Sequence, residues 1–220
     1  MAIERYDVNF ERLDDSQLAA WAKIPPAIVS DCMNRTQSMS STIRPIAEGT
    51  VLCGPARTVM AMAGDNSAIH SALRYVQPGD VLVIDAGRCS EVAVWGGTLA
   101  RAAQALGVAG LVIDGAVRDV AEMRELGFPC YASAIVPRGP HKGFGGVLDG
   151  LISCGGCPVR PGDIVLGDDD GIAIVPLDQQ AKLLTASHAK LEQEVGWVKA
   201  IDEGTLMADV LGLPEPDVIG

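Results

Sequence analysis

Short apolar segments and helix-forming segments alternate through the middle of the chain, and this order constrains the fold more than any other feature. Three apolar runs of strand length are separated by two stretches of helix length, each of which ends at a glycine. In chain order they are a strand at 81–85, a helix at 97–106, a strand at 110–114, a helix at 119–126 and a strand at 130–136. Strands that alternate with helices of this length are typical of α/β units. The sequence therefore predicts an α/β fold.

The flanking segments predict further elements. Towards the N-terminus we expect helices at 14–21, 26–33 and 67–76, and a strand region at 50–62 that is broken near Gly54 and Pro55. Towards the C-terminus we expect a glycine-rich loop with short strands at 139–156 and a hairpin made of 164–166 and 172–175. A long helix at 178–195 and a separate, shorter helix at 197–211 complete the prediction.

The composition supports one domain that spans residues 1–220. Of these residues 48% are hydrophobic, so the chain can bury a core without disulfide bonds. The six cysteines are therefore expected to be reduced thiols in a cytoplasmic protein. The N-terminus lacks the basic and then apolar pattern of a signal peptide.

Charge and aromatic content exclude two classes of partner. The chain has 28 acidic against 17 basic residues, a net charge of −11, and only three residues each of Trp, Tyr and Phe. A nucleic-acid surface needs clustered Lys and Arg, and single-strand binding also needs aromatic platforms. The longest apolar runs are far shorter than the roughly 20 residues that cross a bilayer. We therefore expect neither a nucleic-acid nor a membrane partner.

Several catalytic motifs are absent from the sequence. There is no phosphate-binding loop, no His-Glu-x-x-His and no Gly-x-Ser-x-Gly. The histidines at 70, 141 and 188 are far apart, so each is expected to be structural or at the surface. Cys154 and Cys157 form a Cys-x-x-Cys pair, but no second ligand pair exists and no helix follows. We interpret this pair as a coincidence in a glycine-rich loop.

Residues 81–90 suggest a methyltransferase as an alternative. A strand that ends in Asp-x-Gly-x-Gly cradles S-adenosylmethionine in many methyltransferases. Asp85 and Gly87 fit this pattern, but Cys89 stands where the second glycine is needed for close backbone approach.

The sharpest pattern is Arg118-Asp119, which follows the predicted strand at 110–114 and precedes the next helix. Ligands of α/β folds collect at such strand ends. Arg118 offers a planar fork for a carboxylate, and Asp119 offers a hard oxygen ligand for magnesium or manganese. The two residues are also compatible with an ordinary solvated ion pair, or Asp119 with a plain helix cap.

A second candidate lies upstream, where Gly96, Gly97 and Thr98 open a predicted helix. The bare N–H groups at the start of a helix form an anion cradle. The alternative is that the two glycines only permit a tight turn.

Four motifs in this order resemble one known family. They are Gly64-Asp-Asn66, Pro78-Gly-Asp-Val-Leu-Val83, Gly110-Leu-Val-Ile-Asp-Gly-Ala-Val-Arg-Asp119 and Pro161-Gly-Asp-Ile-Val-Leu-Gly-Asp-Asp-Asp-Gly171. The family groups the regulator of ribonuclease activity A with the class II pyruvate aldolases, some of which were once called demethylmenaquinone methyltransferases. Its aldolases cleave 4-hydroxy-4-methyl-2-oxoglutarate and 4-carboxy-4-hydroxy-2-oxoadipate, and several members decarboxylate oxaloacetate. The resemblance covers roughly residues 25–210.

The resemblance implies a fold and an assembly. The fold is a single-domain α-β-β-α sandwich of the swivelling-domain kind. The assembly is a homotrimer, or a pair of trimers, with active sites between subunits. A glutamate of the last long helix reaches the neighbouring subunit's site, and Glu194 fits that place best, with Glu192 as the alternative.

The resemblance also implies the ligands of the site. Arg118 would hold the carboxylate of a 2-oxo acid, Asp119 would hold a divalent metal with its waters, and the backbone of Gly96, Gly97, Thr98 and Leu99 would bind pyruvate. A pyruvate enolate would then be the common intermediate of aldol cleavage and decarboxylation.

Gly97 is a departure, since the aldolases carry an Asp at that position that is thought to assist proton transfer. Decarboxylation makes fewer demands, because it needs a polarised carbonyl and a stabilised enolate. A metal-dependent lyase is therefore the leading hypothesis. The second is a non-catalytic regulator that binds a basic protein through its acidic surface.

Overall fold

Eleven strands and seven α-helices form over residues 2–220, which are the residues that this computed structural model describes. The helices are α1 (Asp15–Trp21), α2 (Pro26–Cys32), α3 (Ser67–Ala72), α4 (Gly97–Ala105), α5 (Val120–Glu125), α6 (Gln180–Asp202) and α7 (Met207–Val210). The strands are β1 (Ile3–Arg5), β2 (Arg44–Pro45), β3 (Leu52–Ala61), β4 (Val81–Trp95), β5 (Gly110–Val117), β6 (Cys130–Ile135), β7 (Gly146–Leu148), β8 (Ile152–Cys154), β9 (Cys157–Val159), β10 (Ile164–Asp168) and β11 (Gly171–Val175).

The central strands β3, β4, β5 and β6 are parallel neighbours in that order. The sheet continues from β3 through the antiparallel β7 to β1 at one edge, and from β6 to the antiparallel β2 at the other. The hairpin of β10 and β11 joins through an antiparallel pairing of β10 with the first half of β3. The βαβ connections place the carboxyl ends of the parallel strands at one edge of the sheet.

Alternate side chains of the strands divide the core into layers. Leu82 and Ile84 of β4 pack with α3, α4 and α5 on one face. Val81 and Val83 of the same strand pack on the other face against the hairpins β8–β9 and β10–β11. The outer face of the β10–β11 hairpin packs on α1, α2 and α6. Because side chains alternate between the faces of a strand, these contacts build an α-β-β-α sandwich, which confirms the predicted fold.

The break predicted within β3 is wrong. The strand runs continuously from Leu52 to Ala61, with Gly54 and Pro55 inside it. Pro55 lies where the strand changes partner, because residues 52–55 pair with β10 and residues 56–60 pair with β4. A proline that lacks an N–H group is tolerated at such a change of partner.

Strand β4 does not end at Asp85 as the sequence predicts, but continues to Trp95. Register shifts in its pairing with β5 occupy residues 85–95, where Gly87 and Arg88 have φ of +65° and +55°. The segment from Asp85 to Cys89 is therefore a bulged part of a strand, since bulges bend a strand without ending it. It is not the loop at a strand end on which the methyltransferase hypothesis depended.

The two helices predicted at the C-terminus are largely one. Helix α6 runs through Gly196 to Asp202, and the short α7 follows. Ion pairs of Lys190 with Glu194 and of Lys199 with Glu203 join successive turns on both sides of the glycine. Such i,i+4 pairs support an exposed helix and offset part of the cost of about 1 kcal/mol that one glycine adds.

Cys154 and Cys157 lie opposite each other in the β8–β9 hairpin. Gly155 and Gly156 between them both have positive φ, as a two-residue hairpin turn requires. All six cysteines are free, as expected, and burial raises the pKa of the Cys157 thiol to about 12. The Cys-x-x-Cys spacing is therefore a product of the turn.

Arg57 of β3 and two aspartates form a buried ionic cluster. Arg57 donates from Nη1 to Asp149 at 2.9 Å and from Nε to Asp80 at 3.3 Å. Arg5 and Arg12 reach the same two carboxylates from the N-terminal segment, at 2.9 Å and 2.7 Å. The cluster ties β1, β3 and the segment after β7 together.

Among residues 2–220 no helix combines the length and the apolar character needed to cross a membrane.

Candidate functional site

The candidate site begins where β4 and β5 end side by side. Trp95 pairs with Val117, and the Arg118 N–H donates to the Trp95 carbonyl at 3.0 Å. Gly96 and Arg118 therefore leave the sheet at the same point. This is the strand-end edge at which α/β folds place their ligands, as the sequence predicts.

Asp119 joins the two helices that start at this edge. It occupies the N-cap position of α5 in the left-handed conformation, with φ of +58°, but its side chain does not cap that helix. Its Oδ2 instead accepts a hydrogen bond from the Gly97 N–H of α4 at 3.1 Å and lies 3.5 Å from Arg118 Nε. The interpretation of Asp119 as a plain helix cap is therefore wrong. Its ion pair with Arg118 is solvated, with side chains that are 43% and 42% exposed, and Asp119 in addition binds the start of α4.

Gly96 is required by close approach rather than by a tight turn. Its backbone is extended, with φ of −166°, which any residue can adopt. A Cβ atom at this position would lie 2.5 Å from Asp119 Oδ2 and 3.0 Å from Arg118 Cγ. The missing side chain thus lets both charged groups lie against the start of α4.

The first amides of α4 are available to an anion. Gly97 already donates to Asp119, whereas the N–H groups of Thr98 and Leu99 have no acceptor inside the helix. Both residues line the same cavity as Arg118. The positive end of a nine-residue helix and a guanidinium therefore meet at one place, which favours a carboxylate.

A cavity of about 200 Å³ opens between these groups. Its walls combine apolar side chains with a few convergent polar ones, as small-molecule sites do. The lining residues are Asn66, His70, Ala93, Val94, Trp95, Gly96, Thr98, Leu99, Arg118, Asp119, Pro140 and Lys142.

Three polar residues of this cavity were not recognised as site residues from the sequence. Asn66 is buried and donates from Nδ2 to the Val94 carbonyl at 3.1 Å, while its Oδ1 has no partner among the described residues. Lys142 adds a positive charge to the lining, whereas burial, together with that charge, lowers the pKa of His70 and favours its neutral form. The only sequence signal was Asn66 in the Gly64–Asn66 motif, because a lone His or Lys has no distinctive spacing.

A larger cavity of about 580 Å³ lies near Tyr6 and Phe10 of the N-terminal segment. Of its two lining carboxylates, Asp7 and Asp149, the second is already bound by Arg5 and Arg57. The smaller cavity contains Arg118, Asp119 and the start of α4, which the sequence singles out, and we take it as the candidate site.

Glu194 and Glu192 do not line this cavity. Both lie on α6, where Glu194 is half-buried beside Lys190 at 3.9 Å. That helix packs on α2, on the layer opposite α4 and α5. Within one chain the structure thus brings Arg118, Asp119 and residues 96–99 together, but not the two glutamates.

The residues present fit a hydrated magnesium or manganese ion. Among residues 2–220 there is no group of three or more His, Cys, Asp or Glu residues that would enclose a metal. Asp119 nonetheless offers an exposed carboxylate whose Oδ1 accepts no hydrogen bond from the described residues. Magnesium retains several waters and needs only one or two carboxylates, which matches this donor set.

Known proteins resemble the chain over most of its length. A model of the family described as RraA-like, Aldolase/RraA, matches residues 26–174. A Halalkalibacterium halodurans protein named "Putative 4-hydroxy-4-methyl-2-oxoglutarate aldolase" is 37% identical over 184 residues, which cover 83% of this chain and 87% of that protein. A Thermus thermophilus 4-hydroxy-4-methyl-2-oxoglutarate aldolase is 32% identical over 67% of this chain and 90% of its own.

A solved structure extends the likeness. Streptomyces coelicolor RraAS2, described as an unusual member of the RNase ES inhibitor RraA protein family, superposes with a TM-score of 0.77. It is 29% identical and covers 84% of this chain and 97% of its own. Sequence, fold and strand-end motif agree, and the chain belongs to the RraA-like, Aldolase/RraA family.

Proposed function

We propose that the protein is a divalent-metal-dependent carbon–carbon lyase that releases pyruvate from 2-oxo acids. The substrates would be aldol acids such as 4-hydroxy-4-methyl-2-oxoglutarate, oxaloacetate, or both. One observation carries the proposal: Arg118, a free oxygen of Asp119 and the unpaired amides of α4 face one cavity. The aldolase names of two relatives support it.

The residues have separate tasks. Arg118 and the amides of Thr98 and Leu99 bind the carboxylate of the substrate, because both the fork and the helix start favour negative charge. Asn66 Oδ1 accepts a hydrogen bond from a substrate hydroxyl or a bound water. Lys142 attracts a second carboxylate of the substrate, and the neutral His70 donates a hydrogen bond to it.

Asp119 would hold the magnesium or manganese ion, which when bound acts as a Lewis acid that polarises the 2-oxo group. Breaking the carbon–carbon bond then leaves a pyruvate enolate. Arg118 stabilises the negative charge that develops on it, and this electrostatic contribution is commonly the largest in such reactions.

The active site is completed, in this proposal, by a second subunit of a homotrimer or hexamer. Glu194, Val198 and Ile201 lie on one face of α6 at i, i+4 and i+7. Val198 and Ile201 are 57% and 46% exposed, and Val195 beside them is 71% exposed. An exposed apolar face of this kind suits docking on another copy of the chain, which would carry Glu194 to the neighbouring site.

A panel of 2-oxo acids tests the function. The purified protein should release pyruvate from at least one aldol acid or from oxaloacetate when magnesium or manganese is present. EDTA should abolish the activity, and added metal should restore it. Pyruvate is measured with a coupled dehydrogenase, and the metal-only rate of oxaloacetate loss is subtracted. Metal-independent release, or no release from the whole panel, contradicts the proposal.

The second candidate is a regulator that binds a basic protein and catalyses nothing. The RNase ES inhibitor family named for the Streptomyces structure, together with the net charge of −11, favours it. EDTA separates the two functions, because it should leave protein binding intact while it removes lyase activity.

Replacement of Gly96 by alanine should lower kcat/KM for pyruvate release by at least about tenfold. The new Cβ must displace Asp119 and Arg118 by several tenths of an ångström, and misplacement of about 1 Å costs about a hundredfold. Gly143→Ala is the matched control, since that position has open space and no positive φ. Equal kinetics of the two variants would show that the close approach at Gly96 is unimportant.

A further inference from the structure

The carboxylate of Glu122 occupies the space in which a side chain at position 97 would lie. Glu122 is on α5, one turn after Asp119, and a Cβ atom built on Gly97 would overlap both its Oε2 and its Cδ. Two carboxylates of α5 therefore face two successive glycines of α4, with Asp119 over Gly96 and Glu122 over Gly97. The space that a side chain at position 97 would occupy is therefore filled by the Glu122 carboxylate of the neighbouring helix.

One oxygen of Glu122 is fixed and the other is free. Oε1 accepts a hydrogen bond from Arg101 Nε of α4 at 2.6 Å. Oε2, the oxygen nearest Gly97, accepts no hydrogen bond from the described residues, and the side chain is 37% exposed. Arg101 therefore positions the carboxylate and leaves one proton acceptor beside the start of α4.

The cavity of the candidate site has an unfilled hydrogen-bonding position. Gly96 and Thr98, on either side of Gly97, line it, whereas Gly97 and Glu122 do not. Asn66 lines it and is 95% buried, with an Oδ1 that has no partner among residues 2–220. A buried polar atom normally has a hydrogen-bond partner, so this one indicates that a polar ligand completes the cavity.

We propose that Glu122 is the proton-transfer residue of aldol cleavage and that Arg101 is its positioning residue. This inference rests on the proposed lyase function. The C4 hydroxyl of a 4-hydroxy-2-oxo acid gives its proton to Glu122 Oε2 through one water, since Glu122 lies against Gly97 and not in the cavity lining. The hydroxyl oxygen forms the carbonyl of the second product. The C3–C4 bond breaks, and its electron pair passes into the pyruvate enolate. Glu122 then returns the proton to C3, which becomes the methyl group of pyruvate.

Decarboxylation of oxaloacetate depends less on this residue. Oxaloacetate has no C4 hydroxyl to deprotonate, because carbon dioxide leaves without a proton and its bonding electrons form the same enolate. A solvent proton then reaches C3. The two reactions of one site should therefore respond differently to the loss of Glu122.

Glu122→Gln separates this role from the others. We expect aldol cleavage of 4-hydroxy-4-methyl-2-oxoglutarate to fall about 100-fold in kcat, the lower end for general acid–base catalysis, with little change in KM. Oxaloacetate decarboxylation and calorimetric affinity for manganese should stay close to wild type. Glu125→Gln, an exposed acid on the same helix, is the matched control. Arg101→Met should cause part of the same loss of aldol cleavage and should leave oxaloacetate decarboxylation unchanged.

Moving the carboxylate between helices provides a rescue. Gly97→Asp alone should impair both reactions, because the new side chain collides with Glu122. The double variant Gly97→Asp/Glu122→Ala should recover most of the aldol cleavage, since the space is cleared and a carboxylate enters it from α4. Position 97 is not at positive φ, so aspartate is compatible with the backbone.

The proposal is overturned if Glu122→Gln cleaves the aldol acid at the wild-type rate. It is also overturned if that variant loses both activities to the same extent while its melting temperature falls. That result is expected if the Arg101–Glu122 ion pair between α4 and α5 has only a structural role. A wild-type protein without either activity instead overturns the proposed lyase function, so the two failures are distinguishable.

Discussion

Replacement of Arg118 by alanine is expected to lower kcat/KM for pyruvate release by about 1000-fold. The loss of one preorganised group that stabilises a developing oxyanion costs about 100- to 1000-fold. Arg118 in addition binds the substrate carboxylate in the proposed reaction. Oxaloacetate decarboxylation and aldol cleavage should both fall, because the enolate is common to them.

The matched control for Arg118 is Arg74→Ala. Arg74 is an exposed arginine that does not line the cavity, so its removal should leave the kinetics unchanged. Arg118→Lys should recover only part of the activity, because a point charge cannot replace the planar fork. Near wild-type turnover of Arg118→Ala with oxaloacetate would falsify the assigned role.

Replacement of Arg57 by alanine is expected to lower the free energy of unfolding by about 3–5 kcal/mol. The side chain is 8% exposed and holds Asp80 and Asp149, whose side chains are fully buried. Without the guanidinium the cations left beside these two carboxylates would be Arg12 and Arg5, which lie at the rim of the cluster. Urea unfolding at a fixed protein concentration measures the change.

An exposed ion pair provides the comparison for Arg57. Asp31→Asn removes the charge that faces Arg35 at 3.6 Å, where the two side chains are 39% and 74% exposed. Exposed pairs contribute about 0–1 kcal/mol, so this variant should unfold almost as the wild type does. A change of less than about 1 kcal/mol for Arg57→Ala would mean that the outer arginines alone neutralise the cluster.

The sequence predicted the alternation of strands and helices, and with it the edge at which Arg118 and Asp119 meet the start of α4. Local patterns suffice for this, because apolar runs, glycine stops and turn residues act within a few positions of each other. The same patterns misplaced the end of β4. A strand that passes through a bulge looks like a strand followed by a loop until its partner β5 is in place.

The error at Gly196 has a similar origin. Glycine lowers helix propensity, so the sequence favours two helices at the C-terminus. In the structure α6 continues through Gly196 to Asp202. A single glycine costs about 1 kcal/mol relative to alanine, which weakens a helix without ending it. The i,i+4 ion pairs on either side offset part of that cost.

The site itself required the tertiary structure for its remaining members. Asn66 and Lys142 come from separate parts of the chain, and neither has a spacing that points to Arg118. Glu122 follows Arg118 by four residues, but only the packing of α5 beside α4 places its carboxylate over Gly97. The roles of Glu194 and of a second subunit stay predictions, since one chain leaves that glutamate on the opposite layer.

Position 97 shows most clearly what the sequence determines and what only the tertiary structure determines. The sequence by itself determined that no carboxylate stands there, and that Arg118 and Asp119 follow β5. Only the tertiary structure decided what fills the space, because α5 packs beside α4 and places the Glu122 carboxylate over Gly97. A glycine in a sequence records the absence of a side chain, whereas packing determines which neighbour takes its place.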